Sequence, residues 1–163
     1  VLMVPPPLFV IPQYEIMAKL GWLDSLTALI VPGLFSAFGV FLLRQYFMSI
    51  PRELDEAAMI DGAGPFRILR SIIVPQSLAA ITAVALFHFF FAWNDFFVPL
   101  LYLASKPELQ PLSIGIQQYN ALYASQPTLI QASALLTMAV PVIVFFLAQR
   151  AFMRTVVVTG VEK

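Results

Sequence analysis

Pro51-Arg-Glu-Leu-Asp-Glu-Ala-Ala-Met-Ile-Asp-Gly-Ala-Gly-Pro-Phe-Arg-Ile-Leu-Arg-Ser-Ile-Ile-Val-Pro75 is a charged island in an apolar chain. On either side the charges stop. Asp, Glu, Lys and Arg are absent from 25–43, from 71–94 and from 109–149. Gaps of that length suit helices crossing a hydrocarbon layer ~30 Å thick, which takes roughly 20 apolar residues each. The chain is 60% apolar and 11% charged, with a mean hydropathy of +0.87, beyond the range of an ordinary soluble domain. The expected fold is therefore all-α, a polytopic transmembrane helix bundle.

Three spans follow, at about 26–43, 77–103 and 129–149. Residues 1–18 are apolar but carry Pro5, Pro6, Pro7 and Pro12, and read as the end of a preceding span breaking into an extended segment. The chain starts at Val1 inside an apolar run, so it reads as one transmembrane domain over 1–163 whose N-terminal portion is missing. Its connections are a loop at 50–75 and another at 104–128, the latter with room for one short helix.

Charge placement orients the spans. Arg44, Arg52, Arg67, Arg70, Arg150, Arg154 and Lys163 lie on the side of the 50–75 loop; Lys19 and Lys106 lie on the other. By the positive-inside rule the 50–75 loop and the C-terminus are cytoplasmic, and 104–128 is external. Net charge is zero, so no basic field points to nucleic acid, and with no cysteine there are no disulfides or thiolate metal sites.

Within 51–75, Pro51 suits a first helical turn, and Glu53, Asp55 and Glu56 lie near the positive end of that helix. Leu54, Ala57, Ala58 and Asp61 recur at helical spacing and make one face of small and apolar residues. Gly62 and Gly64 stop the helix and permit a reversal. Pro65 opens a second short helix with Phe66, Leu69 and Ile73 on one side and Arg67 and Arg70 on the other, and Pro75 separates it from the next span. A connector resting on lipid headgroups favours Lys and Arg, whereas the first helix is acidic and offers alanines for close approach. Those features favour a protein-docking surface.

The string Glu56-Ala57-Ala58, three residues, Gly62, nine residues, Ile72-Ile73-Val74-Pro75 resembles the cytoplasmic signature of ABC-importer permeases, with Val74 in place of the usual Leu. The stretches Gly39-Val-Phe-Leu-Leu-Arg-Gln-Tyr-Phe47, Ile50-Pro-Arg-Glu-Leu54 and Trp93-Asn-Asp-Phe-Phe-Val-Pro-Leu100 resemble the carbohydrate-uptake subfamily, specifically its maltose-type second permease subunit. Gln149-Arg150-Ala151-Phe152 is similar to the start of that subunit's tail. The end, Thr159-Gly160-Val161-Glu162-Lys163, departs from the family's usual G-A-V-K-G.

The resemblance implies a C-terminal fragment of a bacterial inner-membrane permease subunit, a transport component and not an enzyme, carrying a sugar or oligosaccharide. Its implied partners are a second permease subunit, an ATP-binding subunit dimer, an extracytoplasmic solute-binding protein and membrane lipid. ATP belongs to the partner ATPase; this chain has no G-x-x-x-x-G-K-[ST] loop, and no cofactor is expected on it. Residues 56–62 would be the coupling helix: Glu56 the charge contact, Ala57 and Ala58 close seating, Asp61 on the same face, Gly62 the turn, and Pro75 the end of the signature.

Trp93, Asn94 and Asp95 are candidates for the substrate pathway, since an acid inside a span is a functional candidate. Asp95 lies about 20 residues beyond Pro75, roughly 30 Å along a helix, near the outer boundary. There Trp93 equally suits an aromatic belt, and Asp95 a solvated or capping position. His88 lacks a second ligand at metal spacing and reads as packing. Gln131, Ser133 and Thr137 suit either a cavity lining or helix-to-helix bonds. Three alternatives remain: a permease for a non-sugar solute such as glycerol phosphate, an ion-coupled carrier, and a membrane enzyme. The last two lack the intramembrane charges or His/Asp/Glu cluster they need.

Overall fold

A computed structural model describes residues 5–122 and 127–159. The departure from the family's tail at 160–163, the chain start at 1–4, and positions 123–126 of the second loop lie outside the described residues. Every described element is helical: α1 (Val10–Lys19), α2 (Thr27–Gly33), α3 (Ala37–Met48), α4 (Arg52–Ile60), α5 (Pro65–Ile68), α6 (Val74–Gln76), α7 (Leu78–Asn94), α8 (Phe97–Tyr102), α9 (Leu112–Leu122) and α10 (Pro127–Thr159). The all-α membrane expectation holds. Thr27–Met48 and Pro127–Gln149 are long and apolar enough to cross a membrane, and Pro65–Gln76 with Leu78–Trp93 makes a third if that bent pair is one span.

The spans differ from uninterrupted rods, and prolines explain most of the differences. Pro32 has no amide to give the Ala28 carbonyl, and after Pro32-Gly33 the ladder tightens to Leu34 N–H on Val31 before α3 begins. α7 ends at Asn94 instead of running on to 103; Asp95 and Phe96 separate it from α8, whose first turn holds Pro99. The segment 1–18, read as the end of a span breaking into an extended stretch, instead carries α1 from Val10, because Pro12 falls in its first turn, where no amide is needed. α9 fills the place left for one short helix in the second loop.

The chain divides into two compact units. The first comprises Val1–Ala37 and Phe89–Val144. Its core is Met17, Ala28 and Tyr102, with Trp22, Leu23, Leu29, Val98 and Leu101 packed around them, so that α8 rests on α1 and α2. Asp24 ties this unit together from an unusual backbone position, φ +58°. Its N–H donates to the Tyr102 carbonyl at 2.8 Å, and its Oδ1 accepts the Ser105 N–H at 3.0 Å. Leu103 and Ile114, in the same unit, are fully buried.

The second unit comprises Phe38–His88 and Phe145–Lys163. Here α3 leads through Ser49–Pro51 into α4, and α5 leads through a π turn (Leu69–Ile73) and α6 into α7. Phe38 and Phe87 meet edge to face at 5.7 Å. Pro75 does not part this segment from the next helix. The π turn widens the backbone just where a regular helix would drive the Pro75 ring into the Ser71 carbonyl, and the chain stays helical to Gln76. The break falls at Ser77, with a bend of 75°.

Candidate functional site

α4 is built as its sequence directs. Pro51 sits at its N-cap with φ −59° and ψ 133°, and Glu53 and Asp55 occupy the first turn, where the helix dipole favours acids. At the other end Gly62 takes φ +78°, a left-handed conformation that a side chain resists. That conformation lets the Gly62 N–H reach the Met59 carbonyl at 3.0 Å and the Ala63 N–H reach the Ala58 carbonyl at 2.9 Å. The paired bonds satisfy carbonyls that a helix end otherwise leaves open. Gly64 then turns extended, Pro65 opens α5, and the Ile68 N–H closes on the Gly64 carbonyl.

Glu56, Ala57, Asp61 and Gly62 are exposed on this bracket. Ala58 is not: it is only 8% exposed and packs inward. Successive residues on a helix point about 100° apart, and here Ala58 falls on the inward side while its neighbour Ala57 stays exposed. The apolar face of the second piece also differs from expectation. Ile68 is buried while Phe66 is 75% exposed, because Ile68 and Ile72 form a rival stripe as apolar as Phe66, Leu69 and Ile73. Ile60, 87% exposed, joins Phe66 as bare apolar surface flanking the glycine turn. Periodicity placed Phe66 on the apolar side of the second helix but did not single out Ile60, whose nearness to the turn was the available signal.

A cleft of about 710 Å³ opens between α3, the start of α4 and Ile73. Arg44, Arg52 and Asp55 line it with Phe47 and Met48, and Asp55 Oδ1 is buried without a hydrogen-bond partner among the described residues. Pro75 lies on the exposed side of α6, two residues before the bend.

Trp93, Asn94 and Asp95 gather in the first unit. The Trp93 ring stacks on Phe89 at 5.7 Å, and its Nε1–H donates to the Thr137 carbonyl at 3.3 Å. Asn94 Nδ2 donates to the Phe90 carbonyl in its own helix. Asp95 caps α8: its Oδ1 accepts the Val98 N–H, and its carbonyl accepts the Ser113 hydroxyl at 2.7 Å. Ser133 and Thr137 donate their hydroxyls to Ile130 and Ser133 carbonyls within α10. No group of three or more metal-ligating side chains occurs among the described residues.

Residues 1–158 match the family described as binding-protein-dependent transport system inner membrane component. The chain belongs to that family. Curated relatives within it include the sn-glycerol-3-phosphate transport system permease protein UgpE of Pectobacterium atrosepticum, 39% identical over 158 residues. The proteins of the same name from Agrobacterium fabrum and Salmonella typhimurium are 36% and 38% identical over 160 and 158 residues. These alignments take in 96–97% of this chain and 56% of each relative, so the chain spans about half the length of the curated relatives it matches. The family resemblance read from 56–75 is thereby established as membership in this inner-membrane family.

Proposed function

We propose that this chain is part of the permease subunit of an ATP-driven ABC importer, and that α4 with its glycine turn seats in a separate ATPase subunit. The observation that carries the reading is the capped bracket itself. An acidic helix with Glu56 and Ala57 exposed ends in the Gly62 turn, and bare Ile60 and Phe66 flank it. An exposed apolar patch rimmed by charge suits a protein partner, and family membership supplies the class of machine. On this reading ATP-driven closure of the ATPase pair moves α4, and the helices that follow change the access of the solute pathway. The excess of basic residues supports a cytoplasmic position for α4 and the C-terminus. A second permease subunit and an external solute-binding protein complete the assembly.

The solute belongs to the small polyhydroxylated organic compounds, a class that includes sugars and glycerol phosphate. The relatives' names put sn-glycerol-3-phosphate first for testing, with sugars and oligosaccharides second. The deciding experiment is uptake of labelled sn-glycerol-3-phosphate, maltose and longer oligosaccharides by cells with and without the gene. One of these uptakes should vanish on deletion and fail to return with Glu56→Lys. Uptake that persists after ATP depletion, or full rescue by Glu56→Lys, refutes the reading.

A further inference from the structure

The α4 bracket is closed on itself. Its two flanks, α3 before it and the π turn with α6 after it, are joined where the Tyr46 hydroxyl donates to the Gln76 carbonyl at 2.9 Å, across 30 positions of sequence. Gln76 is the last residue before the bend, and the final carbonyls of a helix have no intrahelical donor. Tyr46 supplies one from outside.

The bend itself is held in an unfavourable state. Ser77 is 0% exposed, and its Oγ has no hydrogen-bond partner among the described residues, although a buried hydroxyl ordinarily finds one. Its N–H is divided between the Ile73 and Val74 carbonyls at 3.0 and 3.1 Å. The preceding π turn and Pro75 keep that stretch from settling into regular helix, and such turns recur at kinks and at functional sites. Any other backbone arrangement that gives the Ser77 hydroxyl an acceptor is favoured relative to this bend, where it has none among the described residues.

We propose that Tyr46 is a positioning residue for the coupling of α4 to the membrane: its bond to Gln76 latches the 75° bend and makes 46–76 move as one body. Displacement of α4 then reaches α7 as a change of angle at Ser77, with the serine hydroxyl favouring the straighter state and the tyrosine hydroxyl the bent one. This rests on the reading of α4 as the ATPase seat.

The two hydroxyls should therefore act in opposite directions. Spin labels at Arg67→Cys and Ala85→Cys, both exposed and on either side of the bend, report its angle by pulsed electron resonance in the reconstituted, full-length transporter. Without nucleotide, Tyr46→Phe should shift the population toward the straighter state by about five-fold, the equivalent of one hydrogen bond, and Ser77→Ala should shift it the other way. Tyr46→Phe should also raise the ATP hydrolysed per solute carried, which a merely packing role for the ring leaves unchanged. Identical distributions for Tyr46→Phe and wild type, or shifts of both variants in one direction, overturn the latch. If the variants shift in opposition but MgATP leaves the wild-type distribution unmoved, the latch stands and the ATPase reading of α4 fails.

Discussion

The indole N–H of Trp93 donates to the one carbonyl in α10 that Pro141 leaves without its helical donor, that of Thr137. Residue 141 is four positions beyond Thr137, where a regular helix supplies the amide, and proline has none. In a span with no water, an open carbonyl is costly, and the tryptophan closes it from another helix. Trp93→Phe keeps the stack on Phe89 but removes the donor. It should lower stability in detergent by about 0.5–1.5 kcal/mol. Pro141→Ala restores the amide, so the cost of Trp93→Phe should shrink in the double variant. A double-mutant cycle by chemical unfolding measures the difference.

Asp95 accepts the Val98 N–H at the start of α8, a role that any acceptor oxygen fills. Asp95→Asn should leave uptake and thermal stability near wild type, whereas Asp95→Ala should cost about 1 kcal/mol. Solute KM separates this from a pathway role, because an acid that contacts solute would respond to the Asn variant.

At Asp24 both an acceptor and a left-handed backbone are required. Asp24→Ala removes the bond to Ser105 and places alanine at φ +58°, for an expected loss of about 2–3 kcal/mol. Asp24→Asn keeps an acceptor and tolerates the conformation, so its melting temperature in detergent should be close to wild type.

Gly62 is a test of backbone alone, since a Cβ there meets nothing within 4 Å. Gly62→Ala should cost about 1–2 kcal/mol through its φ, and Gly62→Asn less. Gly62→Pro also loses the N–H bonded to Met59, so it should abolish ATPase association while the chain still inserts in the membrane. Co-purification of the ATPase subunit from solubilised membranes is the measurement.

Glu56 is exposed, so Glu56→Lys should leave the stability of the permease unchanged within about 0.5 kcal/mol. It should nevertheless weaken ATPase co-purification and uptake together. Wild-type levels of both would remove Glu56 from the contact.

The spans were legible because charge cannot be left in hydrocarbon, which makes the gaps between charged residues a direct measure of helix position. The breaks were less so. α7 is apolar around its whole circumference, so no phase in its sequence marks where it ends, and Asp95 turned out to end it by capping the next helix. Pro75 gave a correct warning at the wrong place: the π turn absorbs the ring and passes the break to Ser77. In the α4 bracket Gly62 was readable because only glycine enters that conformation freely. Ala58 was not, since a run of two alanines does not say which of them faces inward. The Tyr46–Gln76 bond had no sequence signal, because its acceptor is a main-chain atom.

The bare pair Ile60 and Phe66 has a consequence for the cell as well as for the assembled protein. If α4 is the ATPase seat, a permease subunit made without its ATPase keeps both side chains bare, the kind of surface that chaperones and membrane proteases grip. On the proposed reading, assembly hides them. The cellular abundance of this chain should then follow that of the ATPase, with surplus copies degraded before they form a leak across the membrane.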